Sequence, residues 1–316
     1  MHSLSARINS IISNMEKVVV TGGAGFIGSN LARELLARGF DVHVVDNFAG
    51  GRMEERILPQ ATYHEVDIRS YDELAPIIAG ARYVFHEAAL PRVQFSIEHP
   101  QETFSVNVEG TVSVLRAAHE GGVKRLIYAA SSSAYGDQET LPLSENLPAQ
   151  PKSPYGLQKY IGELSCTLWS EVYKLSTVSL RYFNVYGPGF DPNGPYALVI
   201  GKFLLQRSKG EPMTITGDGT HTRDFTHVRD VVRANMLAME SDTVGNGEVI
   251  NIGAGRNASV NDVAAMIGGP TVRIEPRLEP AHTLADITRA KKLLHWEPAI
   301  KLEDGIAELK ALAKMT

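Results

Sequence analysis

The stretch Thr21-Gly22-Gly23-Ala24-Gly25-Phe26-Ile27-Gly28 constrains the fold more than any other part of the chain. Its glycines at 22, 25 and 28 follow the β-branched run Lys17-Val18-Val19-Val20 and precede Phe26, Ile27, Leu31, Leu35 and Leu36, which recur at helical spacing until Gly39. A second β-branched run, Asp41-Val42-His43-Val44-Val45, comes next. Strand, glycine turn, helix and strand in quick succession predict a βαβ unit, because parallel strands need a helical crossover. The alternation continues. Strands are expected near 62 to 66, at Tyr83-Val84-Phe85-His86, from Arg125 to Ala129 and from Ser176 to Leu180, with helices near 71 to 79, from Pro100 to His119 and from Ser153 to Lys174.

Such an order predicts an α/β protein built on a Rossmann-type doubly wound parallel sheet. Beyond residue 181 the rhythm breaks at Tyr186-Gly187-Pro188-Gly189-Phe190-Asp191-Pro192-Asn193-Gly194-Pro195, and shorter elements follow. Helices are expected near 197 to 209, 228 to 240 and 259 to 267, with brief strands near 213 to 216 and 248 to 252. The chain therefore divides into an extension over 1–16, a dinucleotide-binding domain over 17–181 with a return segment near 222–255, and a smaller mixed α/β substrate-binding lobe over 182–316.

Composition narrows the function classes. Hydrophobic residues make up 43% and charged residues 21% of 316, so a sizeable core can form and disorder is excluded. Lys and Arg total 31 against 36 for Asp and Glu, a balance of −5 that does not suit a dedicated nucleic-acid binder. No apolar run reaches the roughly 18 residues needed to cross a bilayer, so no membrane partner is expected. The opening MHSLSARINSIISNME has no continuous apolar core of a secretory signal. Together with a single cysteine, Cys166, this predicts a cytoplasmic protein without disulfides. The ten histidines form no His-x-x-x-His pair with a nearby acid, and no metal site is expected. His86 and His99 read as structural or surface groups, and Cys166 as a small buried residue.

The glycine turn offers backbone N–H groups and the positive end of a helix to a pyrophosphate. Asp46, at the end of the second strand, suits a ribose bearing two free hydroxyls and repels a 2′-phosphate, which favours NAD over NADP. Asp67-Ile68, after the third strand, reads either as an adenine-flanking pair or as a cap for the helix that follows.

Tyr155-Gly156-Leu157-Gln158-Lys159 places a phenol and an ammonium one helical turn apart. A free tyrosine titrates near 10. A neighbouring ammonium favours the phenolate and makes it a usable base at neutral pH. Upstream, Ala130-Ser131-Ser132-Ser133-Ala134-Tyr135-Gly136 puts hydroxyls at a strand end, beside the expected cofactor.

These residues, with HEAAL, NVEGT, RYFNVYGP, DPNGPYA and TRDFTHVRD in the same order, resemble the extended short-chain dehydrogenase/reductases, and within them the UDP-hexose 4-epimerases. The likeness spans residues 17 to 300, and DPNGPYALVI is most similar to epimerases that accept UDP-N-acetylhexosamines. It implies catalysis by Ser131, Tyr155 and Lys159. It implies an NAD site made of Gly22, Gly25, Phe26, Ile27, Gly28, Asp46, Asn47, Asp67, Ile68, Ala88 and Ala89, together with Tyr155 and Lys159. Ser131, Ser132, Asn184, Leu198, Val199, Arg223 and Arg277 would bind the UDP-sugar, with Thr283 at the wall facing an N-acetyl group. The expected activity is interconversion at carbon 4 of UDP-GlcNAc and UDP-GalNAc, or of UDP-Glc and UDP-Gal, through a 4-keto sugar. A homodimer through the helices near 100–119 and 153–174 is also implied. A 4,6-dehydratase of this type carries Thr-Asp-Glu where Ser131, Ser132 and Ser133 stand. Uronate epimerisation or decarboxylation, and a non-catalytic nucleotide-sugar-binding module, stay open as alternatives.

Overall fold

The computed structural model describes residues 15–191, 199–275 and 282–314. Six strands, β1 (Lys17–Thr21), β2 (Asp41–Val45), β3 (Thr62–His64), β4 (Tyr83–His86), β5 (Arg125–Ser131) and β6 (Ser176–Tyr182), are joined by a seventh, Asn246–Ile252, in one sheet. All neighbours run parallel, in the order β3-β2-β1-β4-β5-β6 with Asn246–Ile252 at the far edge. The chain leaves β1 toward one edge and returns at β4 toward the other. All strand C-termini consequently open on one side, and β1 and β4 form the switch point where such sheets bind ligands.

Both faces of the sheet are covered, which is why the central strands β1, β4 and β5 are buried along nearly their whole length rather than at alternate residues. Val18, Val20, Phe85 and Ile127 point into one core with Leu31 and Leu35 of the helix Phe26–Ala37 and Val231 and Met239 of the helix Val228–Glu240. Val19, Val84, Leu126 and Tyr128 point the other way, against Leu74, Val114 and Cys166. The seventh strand arrives from late in the chain, and the helix Val228–Glu240 before it packs on the helix Phe26–Ala37.

The helical stretch expected from Pro100 to His119 divides into Pro100–Phe104, a π turn over Ser105–Glu109 and Gly110–Glu120. At the π turn Asn107 spends its amide on neighbours instead of solvent. Its Oδ1 accepts from Leu90 N (2.7 Å) while Nδ2 donates to Leu90 O (3.2 Å) and to Gln158 Oε1 (2.8 Å). A wider turn is a common place for a side chain to reach across a site.

A third core lies beyond the strand ends. Phe203, Met213, Ile215, Val263, Ile267 and Ile306 fill it, from the helices Val199–Ser208, Val260–Ile267 and Leu302–Leu312 and the strand Met213–Thr216. Among the described residues, no helix is long and apolar enough to cross a membrane.

Candidate active site

Thr21 ends β1, and the chain turns at once. Gly22 has φ +70°, and a Cβ there would stand 2.6 Å from Ala88 N; a Cβ on Gly28 would stand 2.3 Å from the Gly22 carbonyl oxygen. Only bare backbone fits at either position. Gly25 caps the helix Phe26–Ala37 without a side-chain hydrogen bond, leaving its first N–H groups directed out of the turn. These features fit a dinucleotide pyrophosphate. Phe26 lies edge-on to Phe190 at 5.6 Å between centroids, and Ile27 packs under the turn on the sheet core.

Asp46 leaves the end of β2 and folds back over the same turn. Its Oδ2 accepts from Ala24 N (3.0 Å) and its Oδ1 from Phe48 N (2.8 Å). Burial raises its pKa, and those two N–H groups oppose the rise. Asn47 Nδ2 donates to Asp67 Oδ2 (3.0 Å), and Arg69 clamps the same carboxylate through Nε and Nη2. That clamp holds the Asp67 pKa below the usual carboxylate range. The cap alternative for Asp67 does not hold: Ser70 occupies the N-cap of Tyr71–Ile78. Ile68 is buried against Gly110. Ala88 and Ala89 follow β4, where Ala88 N donates to Thr21 Oγ1 (3.4 Å).

Beneath this turn lies a buried polar chain. Thr111 Oγ1 donates to Asn107 O (2.7 Å), so it accepts from His86 Nε2–H (2.9 Å), and His86 Nδ1 accepts from Thr21 Oγ1 (2.7 Å). This fixes the neutral Nε2–H tautomer. Burial lowers the His86 pKa to about 3, with Lys159 adding repulsion. The structural reading of His86 has a definite content here: it ties β1 and β4 to the helix Gly110–Glu120. His99 is exposed and stacks on Phe95, and Cys166 is fully buried, its thiol pushed up to about 12.

Ser131, Tyr155 and Lys159 meet at the ends of β5 and of the helix Pro154–Tyr173. Ser153 caps that helix by accepting from Gly156 N (3.1 Å), and Pro154 fits its first turn. Ser96 Oγ accepts from Tyr155 N (3.1 Å), fixing the approach of the phenol. The Ser131 hydroxyl lies near the Tyr155 phenol and favours its ionised form. Ser131 Oγ also donates to Ser133 Oγ (3.0 Å) and accepts from Ser133 N (3.2 Å). Lys159 Nζ donates to Ala129 O (2.7 Å) and sits 5.0 Å from the Tyr128 ring centroid. Burial pushes the Tyr155 phenol up to about 12 despite the nearby Ser131 hydroxyl, and pulls the Lys159 ammonium down to about 8. Ser132 begins the short 3₁₀ turn that follows.

On the lobe side, Asn184 has φ +31° and donates from Nδ2 to Asp224 O (3.1 Å). Arg223, in the strand Thr222–Arg223, donates from Nη1 to Thr222 O (3.0 Å), and Thr283 N donates to the same carbonyl (3.1 Å). Val199 starts the helix Val199–Ser208 and packs on the lobe core. Leu198 and Arg277 lie outside the described residues. Asp224, next to Arg223 in sequence, is the hub of this region. Its carboxylate accepts from Ala254 N (2.6 Å), Gly255 N (3.0 Å) and Ala285 N (3.0 Å), tying three loops around Arg223. The TRDF string contains it, but its partners come from segments 30 and 61 residues away, which no local spacing reveals. Asp230 instead pairs with Arg233 (3.0 Å) and accepts from Ala299 N and Ile300 N.

The chain is similar to known proteins over most of its length. Residues 18–253 match the model of the NAD dependent epimerase/dehydratase family. A putative UDP-glucose 4-epimerase of Methanocaldococcus jannaschii is 37% identical over 298 residues, covering 92% of this chain and 95% of that protein. The crystal structure of the UDP-glucose 4-epimerase of Thermotoga maritima with UDP-glucose aligns with TM-score 0.87 at 37% identity, over 92% of this chain and 96% of that one. The UDP-N-acetylglucosamine 4-epimerase of Methanobrevibacter ruminantium, in complex with UDP-N-acetylmuramic acid, aligns with TM-score 0.89 at 34% identity, over 95% and 99%. The chain belongs to the NAD-dependent epimerase/dehydratase family.

Proposed function

We propose that this protein inverts carbon 4 of a UDP-hexose or UDP-N-acetylhexosamine. The observation that carries the reading is the meeting of Ser131, at the end of β5, with Tyr155 and Lys159, one turn apart on the helix Pro154–Tyr173, at the strand ends beside the glycine turn. Bound NAD supplies a hydride acceptor that later returns the hydride. Gly22, Gly25, Phe26, Ile27 and Gly28 would hold its pyrophosphate, Asp46 and Asn47 its adenosine ribose, Asp67 and Ile68 its adenine, and Ala88, Ala89 and Lys159 its nicotinamide half. Ser131 orients the sugar 4-oxygen and Tyr155 takes its proton, leaving a 4-keto sugar that turns over before the proton is given back. Lys159 favours the phenolate electrostatically. Asn184 and Arg223 would hold the diphosphate, where a guanidinium can bind two oxygens at once; Val199 would border the uracil. No carboxyl stands among Ser131, Ser132 and Ser133, which speaks against elimination of water.

The same reading assigns 17–181 with the strand Asn246–Ile252 to the cofactor and the remainder to the sugar nucleotide. It also assigns a homodimer. Leu157, Leu164, Leu168 and Val172 form an exposed stripe at spacings of seven, four and four along one helix, and Val93, Ile97 and Phe104 are exposed beside it. The test of the activity is to incubate the NAD-loaded protein with UDP-glucose, UDP-N-acetylglucosamine and UDP-glucuronate in turn and to follow the sugars by NMR. Conversion of either of the first two to its 4-epimer supports the reading. Conversion of none of the three favours a binding module.

A further inference from the structure

Glu87 follows β4 at the switch point and carries a carboxylate that the proposed reaction does not use. It is partly buried and accepts a hydrogen bond from Tyr182 Oη (2.8 Å), whose oxygen in turn accepts from Asn235 Nδ2 (2.8 Å). Tyr182 ends β6 and Asn235 belongs to the helix Val228–Glu240, so two elements on one side of the sheet hold Glu87 in place. The register of β4 and β5 pairs His86 with Tyr128, so Glu87 follows beside Ala129, whose carbonyl oxygen holds Lys159 Nζ (2.7 Å), and Tyr155 lies one turn before Lys159 on its helix. Lys159 is in turn surrounded by Glu87, the Tyr128 ring, His86, Tyr155, Cys166 and Glu163. His86 is neutral and Cys166 a buried thiol. Glu163 is engaged by Arg181 through Nε (2.8 Å) and Nη2 (2.6 Å), which neutralises it. Among the described residues, the carboxylate that remains to balance the Lys159 charge is Glu87.

We propose that Glu87, steered by Tyr182, is a positioning residue of the proton-transfer site: its carboxylate is the counter-charge that keeps Lys159 an ammonium beside Tyr155. Burial alone works against that ammonium, and a neutral amine would give the phenolate no help. Glu87 offsets the burial. Its own pKa, raised by burial to about 7, leaves the carboxylate half ionised at neutrality, largely ionised above it and protonated in acid. The pair therefore holds its charges together most fully above neutrality, and protonation of Glu87 in acid releases the hold. The inference rests on the reading of Tyr155 as the base, but the titration of Lys159 can be measured without any sugar.

The experiment uses full-length protein labelled with ¹³C at the lysine ε-carbon, with the Lys159 resonance identified by its loss in Lys159→Met. In the wild type, the Glu87→Gln variant and the Glu87→Asp variant, the pH at which that resonance titrates is read by NMR. Glu87→Gln is expected to lower it by about one unit, a roughly tenfold weaker hold on the proton. Glu87→Asp is expected to restore most of the shift. Tyr182→Phe removes the hydrogen bond that favours the ionised carboxyl and moves the Glu87 transition to higher pH. In turnover, the wild-type to Glu87→Gln rate ratio grows as pH rises through 7, where a packing defect would lower the rate equally at every pH. A Lys159 titration unchanged in Glu87→Gln overturns the proposal whatever the activity shows. A shifted Lys159 titration in a wild-type protein that epimerises no sugar upholds it and refutes the epimerase reading instead.

Discussion

Tyr155 is the residue on which most of the proposed chemistry depends, and its surroundings pull in two directions. Burial pushes its phenol up, while the nearby Ser131 hydroxyl pulls it down. A base must be reachable from neutral pH, so the site requires an added positive charge, and Lys159 one turn away provides it. Replacing Tyr155 by Phe removes only the oxygen. Steady-state kinetics should show a loss in kcat of about 10²–10⁴-fold, the usual worth of a positioned acid–base group. The cofactor released on denaturation should stay at the wild-type amount, because the glycine turn is untouched. Gly28 gives the complementary result. A methyl group there meets the Gly22 carbonyl oxygen, so Gly28→Ala should lose bound NAD before it loses the fold. Quantifying cofactor per chain beside a circular dichroism melt separates the two; unaltered NAD content would contradict the cradle.

At the scale of elements, the site depends on β1, β4 and the helix Gly110–Glu120 staying in register, and His86 is the joint. Its pKa lies near 3 in the folded protein against about 6.5 in the unfolded chain. The unfolded state therefore binds the proton first. The stability that a neutral His86 contributes is complete above pH 6.5 and is lost as pH falls from there toward 3. From pH 7 to pH 5 the loss is about 2 kcal/mol, at 1.36 kcal/mol for each unit below 6.5. Urea unfolding at the two pH values checks it, and His86→Asn should flatten the dependence. Sequence reading found these strands and the glycine turn because a parallel strand buried on both faces and a turn of bare backbone leave local marks. It did not find the π turn at Asn107, since what opens that turn is an amide bonding Leu90 and Gln158, 17 and 51 residues away. The strand Met213–Thr216 was legible, but the other short strands of the lobe and the helices Thr288–Leu294 and Leu302–Leu312 escaped for the same reason. Their partners are distant, and few of their residues repeat. Tyr155 and Lys159 were legible because one helix carries both; Glu87 and Asp224 were not, because other strands and loops complete them.

For the molecule as a whole, the helix Pro154–Tyr173 has to serve two sides at once. Its inner face carries Lys159, Glu163 and Cys166 against the sheet. Its outer face carries Leu157, Leu164, Leu168 and Val172, each between 46% and 59% exposed. Single exposed aliphatics are ordinary, but an aligned set beside exposed Val93, Ile97 and Phe104 is the kind of patch that a second molecule covers. A two-fold axis lets the same face meet itself, so one stripe is sufficient for both subunits. The wild-type protein should then run in light scattering at twice the 34.4 kDa chain mass at micromolar concentration. Changing Leu164 and Leu168 together to Glu brings four carboxylates to the centre of the paired faces, where burial without a partner is unfavourable. That variant should run as a single chain with an unchanged circular dichroism spectrum. Because Tyr155 and Lys159 lie on the inner side of the same helix, loss of the partner should also loosen their placement and lower kcat more than it raises KM. A wild-type protein that is already monomeric at that concentration would remove the stripe from the account of the site.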